Sequence, residues 1–348
     1  MLVSDLDSPA VTADLYILER NIRDMAAHCR ELDIPLRVHT KTHKTPEIAH
    51  MQLAAGAIGI CCQKLGEAEV MVAAGIKDLL VPYNIVGPIK VERLLRLVRR
   101  ARVTTAVDSE ATVEGISAQA REQGLEAPVI IELDTGSQRC GVQSPEAALR
   151  LARRIVQMPG LSFQGVMTYP SRVEATPFIK RAVDLLKAEG IAVNVISGGG
   201  TGLEAASKTM GCTETRSGSY AFEGLTRINH TTNPPNPRTC VLRVITTVVS
   251  TPTPSRVIID GGMKTFASYP PTPYGYIMEQ PEAKIYAMSV EHGHMDVSKC
   301  SHKFQVGERL SVIPLHQEMC LNLHDQYYGV RNGRVEVIWP VAGRGKVQ

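Results

Sequence analysis

Short β-branched or apolar runs alternate with stretches of helical periodicity through the first two thirds of this chain, and that alternation restricts its fold more than any other feature. The strand-like runs fall at residues 36–40, 57–61, 78–82, 103–107, 129–133, 163–168 and 193–197, with a weaker eighth near Glu214. Between them lie amphipathic stretches such as 67–75, 91–101, 145–158 and 178–190, several of them ending at a glycine, as helix C-termini often do. Eight strand–helix units are the count of a TIM-like (β/α)8 barrel, in which functional groups gather at the C-terminal ends of the strands; a doubly wound α/β sheet is the main rival. After a Pro/Asn-rich segment, NHTTNPPNPR at 229–238, the pattern changes to alternating strands and turns. That region reads as a C-terminal antiparallel β domain, with Arg331-Asn332-Gly333 as one hairpin turn. The expected division is a barrel over 10–235 and a β domain over 236–348 joined by residues 1–9.

At 348 residues the chain can bury two cores, and its small net charge of +3, with no extended basic run, argues against a nucleic-acid partner. No apolar run reaches membrane-spanning length, and the first residues lack the basic-then-apolar order of a secretory leader, so a cytoplasmic protein is expected. The cysteines at 29, 61, 62, 140, 212, 240, 300 and 320 have neither CxxC nor framework spacing, which fits reduced thiols. The adjacent Cys61-Cys62 ends an apolar run and reads more readily as packing than as metal or redox chemistry.

Three constellations carry chemistry. RVHTKTHKTPEIA at 37–49 ends a strand and places Lys41, His43 and Lys44 at the expected barrel mouth. An imine-forming lysine must present a neutral amine, a form favoured by partial burial beside other cations; a polar loop is the plainer alternative. SGGGTG at 197–202 and RSGSY at 216–220 follow the seventh strand and surround the eighth, where barrels hold phosphates, although glycines also serve tight turns. PLHQE at 314–318 places His316 and Glu318 two residues apart; on a strand they would share a face and could hold a metal, or simply face solvent.

In combination these residues resemble the fold-type III pyridoxal-phosphate proteins that include D-threonine aldolase and D-serine dehydratase, relatives of alanine racemase. The likeness covers nearly the whole chain: SPAVTADLYILERNI, HTKTHKTPEIA, GAIGICCQKLGEAE, ELDTGSQRCGV, ISGGGTG, RSGSY, EHGH, PLHQEMCLNLHD and VIWPVAGRGKV. It implies that Lys41 carries pyridoxal 5'-phosphate as a Schiff base, that Arg139 faces the cofactor's phenolic oxygen and that Tyr169 approaches its ring nitrogen. It further implies phosphate contacts from Ser197, Gly198, Gly199, Gly200, Thr201, Gly218, Ser219 and Tyr220, and a homodimer. The family's metal motif is H-x-C or H-x-D; His316 and Glu318 stand in the matching positions, and a carboxylate there favours Mn²⁺ or Mg²⁺ over Zn²⁺. One departure is PSRVEA after Tyr169, where many relatives carry a His/Gly-containing loop with a proposed base. That leaves His43, His292 and His294 as basic candidates.

A phenol beside the ring nitrogen makes a weaker electron sink than a carboxylate does, so bond cleavage needs the help of the metal. The expected activity is metal-assisted retro-aldol cleavage of a β-hydroxy D-amino acid, such as D-threonine, to glycine and an aldehyde. The rivals are β-elimination to ammonia and a keto acid, for which dehydratases of this family favour zinc with a cysteine ligand, racemisation, and a non-catalytic cofactor carrier.

Overall fold

The computed structural model describes residues 1–225, 237–267 and 273–348, so most of the Pro/Asn-rich segment and the expected boundary at 235/236 lie outside the described residues. The described chain forms two compact units. One comprises Asp24–Lys41, Pro46–Gly218 and Lys346–Gln348, and the other Met1–Arg23, Thr42–Thr45 and Ser219–Gly345.

After a first strand, β1 (Ala10–Asp14), the eight expected runs become β2 (Leu36–His39), β3 (Gly59–Cys61), β4 (Asp78–Val81), β5 (Arg102–Val107), β6 (Ala127–Leu133), β7 (Leu161–Thr168), β8 (Val195–Gly199) and β9 (Glu214–Ser217). They close into a parallel barrel in sequence order, β9 pairing back with β2. Parallel strands covered by helices are buried on both faces, which is why these segments read as continuous apolar runs. The helix Pro145–Gln157 illustrates the local logic of the outer layer. Ser144 accepts the Ala147 amide as N-cap, Pro145 starts the first turn, and Ala148, Leu149, Leu151, Ala152 and Ile155 form the buried stripe. Such a cap contributes ~1 kcal/mol.

The barrel interior is apolar on one side and ionic on the other. Cys61, Leu80, Ala106, Ile130 and Met167 form a buried cluster against which Val195 packs, one residue from each of β3 to β8. On β2 and β9 the apolar residues give way to Arg37, Glu214 and Arg216, all buried. Arg37 Nε donates to both Glu214 oxygens at 3.0 Å, and its Nη1 meets Asp78 Oδ1 at 2.5 Å. Burial works against the Arg37 charge, but the Glu214 and Asp78 carboxylates hold the guanidinium protonated more firmly than usual. These paired charges explain why β9 gives so weak an apolar signal.

The other unit contains a nine-stranded sheet. Its strands after β1 are β10 (Leu242–Thr253), β11 (Arg256–Ile259), β12 (Gly275–Ile277), β13 (Lys284–Met288), β14 (Gly293–Asp296), β15 (Arg309–Pro314), β16 (Gln326–Arg331) and β17 (Arg334–Pro340). The path runs β13-β14-β11-β10-β1-β16-β17, with β15 joining β10 to β12. All pairings are antiparallel except β1 with β16, so the sheet is mixed, and Ala10–Asp14 is one of its strands. Asn332 (φ 50°) and Gly333 (φ 72°) turn β16 into β17, the left-handed pair that a tight hairpin requires. No helix among the described residues is long and apolar enough to cross a membrane.

Candidate active site

The barrel unit brings Lys41, Arg139, Tyr169, Gly200, Thr201 and Gly218 to the C-terminal ends of its strands. β2 ends at His39 and the chain enters a 3-10 turn, Thr40–Thr42, that presents Lys41 half-buried. Thr40 Oγ1 ties that turn to β3 through the Cys61 carbonyl at 2.9 Å, and the Lys41 amide donates to His39 Nδ1 at 3.4 Å.

Arg139 is carried by a loop that folds back on the end of β6. Asp134 Oδ1 accepts the amides of Gly136, Ser137 and Gln138, and Gly141 (φ 114°) has no space for a side chain, since a Cβ there would stand 2.5 Å from the Asp134 nitrogen. The Arg139 guanidinium lies 5.2 Å from the Tyr169 ring centroid, with Nη2 3.4 Å from Glu132 Oε1. Glu132 is a buried carboxyl at the end of β6; burial raises its pKa against the opposing pull of Arg139. Its penalty is therefore absent at low pH, where folded and unfolded chains are both protonated, and grows as pH rises through the raised value. Glu132→Gln, an isostere of the protonated acid, should accordingly gain thermal stability over the native chain as pH rises through and above the ordinary carboxylate range. A gap that closes with rising pH would contradict this.

The glycine-rich segment divides by position. Ser197, Gly198 and Gly199 belong to β8 and pair with Glu214, Thr215 and Arg216 of β9. Ser197 is fully buried; its Oγ donates to Glu214 Oε1 (2.6 Å) and accepts from Arg216 Nη1 (2.5 Å). The amides of Gly199 and Gly200 donate to Ser171 Oγ and the Arg216 carbonyl, both at 2.8 Å. The Ser197 hydroxyl and the Gly199 and Gly200 amides, expected to face an anion, are thus engaged within the barrel. What stands past the strand end is Thr201, whose Oγ1 accepts the Gly218 amide at 3.2 Å, after Gly200 turns the chain at φ 121°. An amine, a guanidinium, a phenol and a glycine–threonine loop at the strand ends of one barrel form a set of groups that fits pyridoxal 5'-phosphate.

The sheet unit holds the remaining candidates. Ser219 and Tyr220 lie in a 3-10 turn, Ser219–Ala221, whose Ser219 carbonyl accepts the Phe222 and Glu223 amides. His43 is fully buried, not exposed at a mouth as expected: its ring stacks on Phe222 at 6.0 Å and its Nδ1 accepts the Thr45 amide at 3.1 Å. With its lone pair so engaged, the ring supports packing and is a poor base. His292 is exposed, and His294 Nε2 lies 2.9 Å from Ser289 Oγ.

His316 and Glu318 are not on a strand. β15 ends at Pro314, and His316 caps the short helix Gln317–Leu321 by accepting the Met319 amide on Nδ1 at 3.3 Å. Glu318, in its first turn, accepts the Thr42 hydroxyl at 2.9 Å, and Lys44 Nζ donates to Asn322 Oδ1 at 2.7 Å. Cys320 is withdrawn: it is fully buried, its thiol donates to the Thr265 carbonyl, and burial pushes its pKa up to about 12. Among the described residues no three His, Cys, Asp or Glu side chains come together as a complete metal cage. Two protein donors suit a hard ion that keeps water or substrate oxygens as its other ligands. Because a neutral imidazole has one lone-pair nitrogen, an ion bound by His316 would have to compete with the Met319 amide for it.

Sequence reasoning had passed over Glu132, Ser171 and Arg216. All three lay within quoted motifs, ELDTGSQRCGV, PSRVEA and RSGSY, but neighbouring residues drew the attention.

Residues 13–225 match the family described as alanine racemase, N-terminal domain, and residues 241–330 match the putative serine dehydratase domain. The D-threonine aldolase of Arthrobacter sp is 37% identical over 360 residues, covering 98% of this chain and 93% of that protein. The crystal structure of D-threonine aldolase from Filomicrobium marinum superposes with a TM-score of 0.89 at 33% identity, over 99% of this chain and 98% of that one. D-threo-3-hydroxyaspartate dehydratase from Delftia sp. HT23 superposes with a TM-score of 0.84 at 27% identity, over 97% and 98%. With both matched regions in order along one chain, and with the barrel and mixed sheet they correspond to, the protein belongs to the fold-type III pyridoxal-phosphate enzymes related to D-threonine aldolase, D-serine dehydratase and alanine racemase.

Proposed function

We propose that this protein is a lyase that cleaves β-hydroxy D-amino acids of the D-threonine type to glycine and an aldehyde, using pyridoxal 5'-phosphate and a divalent cation. The observation that carries the choice of reaction is the donor pair at the helix Gln317–Leu321. It offers the Glu318 carboxylate beside His316, while the one nearby thiol, Cys320, is buried and protonated. The elimination reading depends on a cysteine-liganded zinc, which this arrangement does not favour.

Lys41 is the amine that would hold the cofactor's aldehyde, Arg139 would face its phenolic oxygen, and Tyr169 its ring nitrogen. Thr201 and Gly218, with Ser219 and Tyr220, would hold the phosphate, and Ser197 to Gly199 of β8 and the following Gly200 would support them. When bound, the cofactor supplies an electron sink for the carbanion left at Cα. His316 and Glu318 would hold Mn²⁺ or Mg²⁺ in preference to Zn²⁺, and the ion would supply charge stabilisation to the substrate's β-oxygen. Arg139 is kept half-exposed by Glu132 and by the Tyr169 ring, so its charge is oriented without being neutralised by full burial. Glu318 is held by Thr42, whose hydroxyl orients the carboxylate.

We further read the protein as a cytoplasmic homodimer, consistent with buried thiols such as Cys29, Cys61, Cys62 and Cys212, on which burial raises the pKa. Holoprotein incubated with D-threonine or D-phenylserine and Mn²⁺ should release aldehyde and glycine in equal amounts. Ammonia and a keto acid instead would select elimination, and no product with any cation would end the lyase reading for these substrates.

A further inference from the structure

We propose that Arg216 and Ser171 are positioning residues, a two-point clamp that fixes the Tyr169 turn against the glycine strand β8 and so sets the phenol relative to the anion loop. The inference rests on the reading of Tyr169 and Thr201 given above.

Tyr169 follows the last residue of β7, and the turn it opens is tied on both sides. Before it, the Thr168 carbonyl accepts Arg216 Nη2 at 2.6 Å. After it, Ser171 bonds β8 twice at one residue: its amide donates to the Gly199 carbonyl at 2.8 Å, and its Oγ accepts the Gly199 amide at 2.8 Å. Ser171 is fully buried, and its Oγ also accepts the Ser207 hydroxyl at 2.8 Å. Gly198 leaves the room for this, since a Cβ there would stand 2.6 Å from Ser171 Oγ.

Arg216 is clamped in turn. Its Nη1 donates to Ser197 Oγ, which donates to Glu214, which is held by Arg37. The same residue's carbonyl accepts the Gly200 amide at 2.8 Å, at the start of the turn that carries Thr201. Arg216 therefore touches both ends of the apparatus, through its guanidinium the strand end before Tyr169 and through its main chain the loop before Thr201. A guanidinium suits this task because its planar fork bonds two acceptors in fixed directions, which an ammonium cannot do. The serine of the PSRVEA segment is thus the side chain that fastens the turn after Tyr169 to β8.

The test uses reconstituted holoprotein and reads cofactor retention by dialysis and the position of the visible band, not turnover, so it remains readable if the lyase assignment fails. Arg216→Lys and Ser171→Ala are each made in the native and in the Tyr169→Phe background, with circular dichroism to verify folding. Losing one buried hydrogen bond corresponds to roughly a tenfold to hundredfold weaker cofactor affinity. We expect that loss, with a shifted band, from either variant in the native background and little further change when Tyr169 is already Phe. If Tyr169→Phe alters binding but neither clamp variant does, or if the clamp variants act equally in both backgrounds, the clamp is wrong and the reading of Tyr169 stands. If Tyr169→Phe itself changes nothing, both fall. Ser171→Ala decides alone should Arg216→Lys fail to fold.

Discussion

Lys41→Ala should yield a folded protein that never turns yellow with pyridoxal 5'-phosphate and that turns over β-hydroxy D-amino acids on the order of 10³- to 10⁴-fold more slowly, if at all. The side chain sits in a 3-10 turn fastened to β3 through Thr40, so removing its amine leaves the backbone anchors in place. Borohydride reduction of native holoprotein followed by peptide mapping should put the pyridoxyl group on the peptide containing residue 41. A label on another lysine, or a coloured Lys41→Ala protein, would overturn the assignment on which all the barrel roles depend.

Removing the carboxylate beside His316 should produce the next largest effect. Glu318→Ala halves an already sparse set of protein donors, so Mn²⁺ affinity should fall by at least about a hundredfold and aldehyde release with it, while the cofactor band stays unchanged. Thr42→Val leaves the carboxylate but removes the hydroxyl that orients it, and should weaken Mn²⁺ by about tenfold, the scale on which such outer contacts act. Titration calorimetry or Mn²⁺ electron paramagnetic resonance measures both. If Glu318→Ala binds Mn²⁺ as the native protein does, the ion lies elsewhere and the preference for a hard metal loses its basis.

The barrel was legible because parallel strands buried on both faces leave apolar runs, here alternating regularly with helical stretches. Its seventh strand was read as ending at Ser197, whereas it continues through Gly199; glycine carries no apolar signal, and the close approach of Ser171, Ser207, Cys212 and Arg216 is what leaves no room for a side chain there. Period-two reasoning placed His316 and Glu318 on a strand, but β15 stops at Pro314 and the histidine caps a helix, a role set by side-chain chemistry that periodicity does not detect. His43 was expected at the surface because histidine beside two lysines looks polar. In the fold it is sealed under Phe222, itself packed edge-on to Tyr327, two rings more than 170 residues away along the chain. Arg216, Ser171 and Glu132 escaped notice for a related reason. Each acts on groups from a distant stretch of sequence or on the main chain, which leaves no local pattern.

The ionic side of the barrel also bears on how this sequence can drift. Asp78, Arg37, Glu214, Ser197 and Arg216 are joined in one row, and losing Arg37 takes from the buried Glu214 carboxylate its paired charge, a loss that costs about 3–5 kcal/mol. Neutral replacements of Arg37 should therefore survive only alongside a matching change at Glu214 or Asp78. These positions form an epistatic block, altered together or left alone, whereas the apolar arc from β3 to β8 can exchange one aliphatic side chain for another singly.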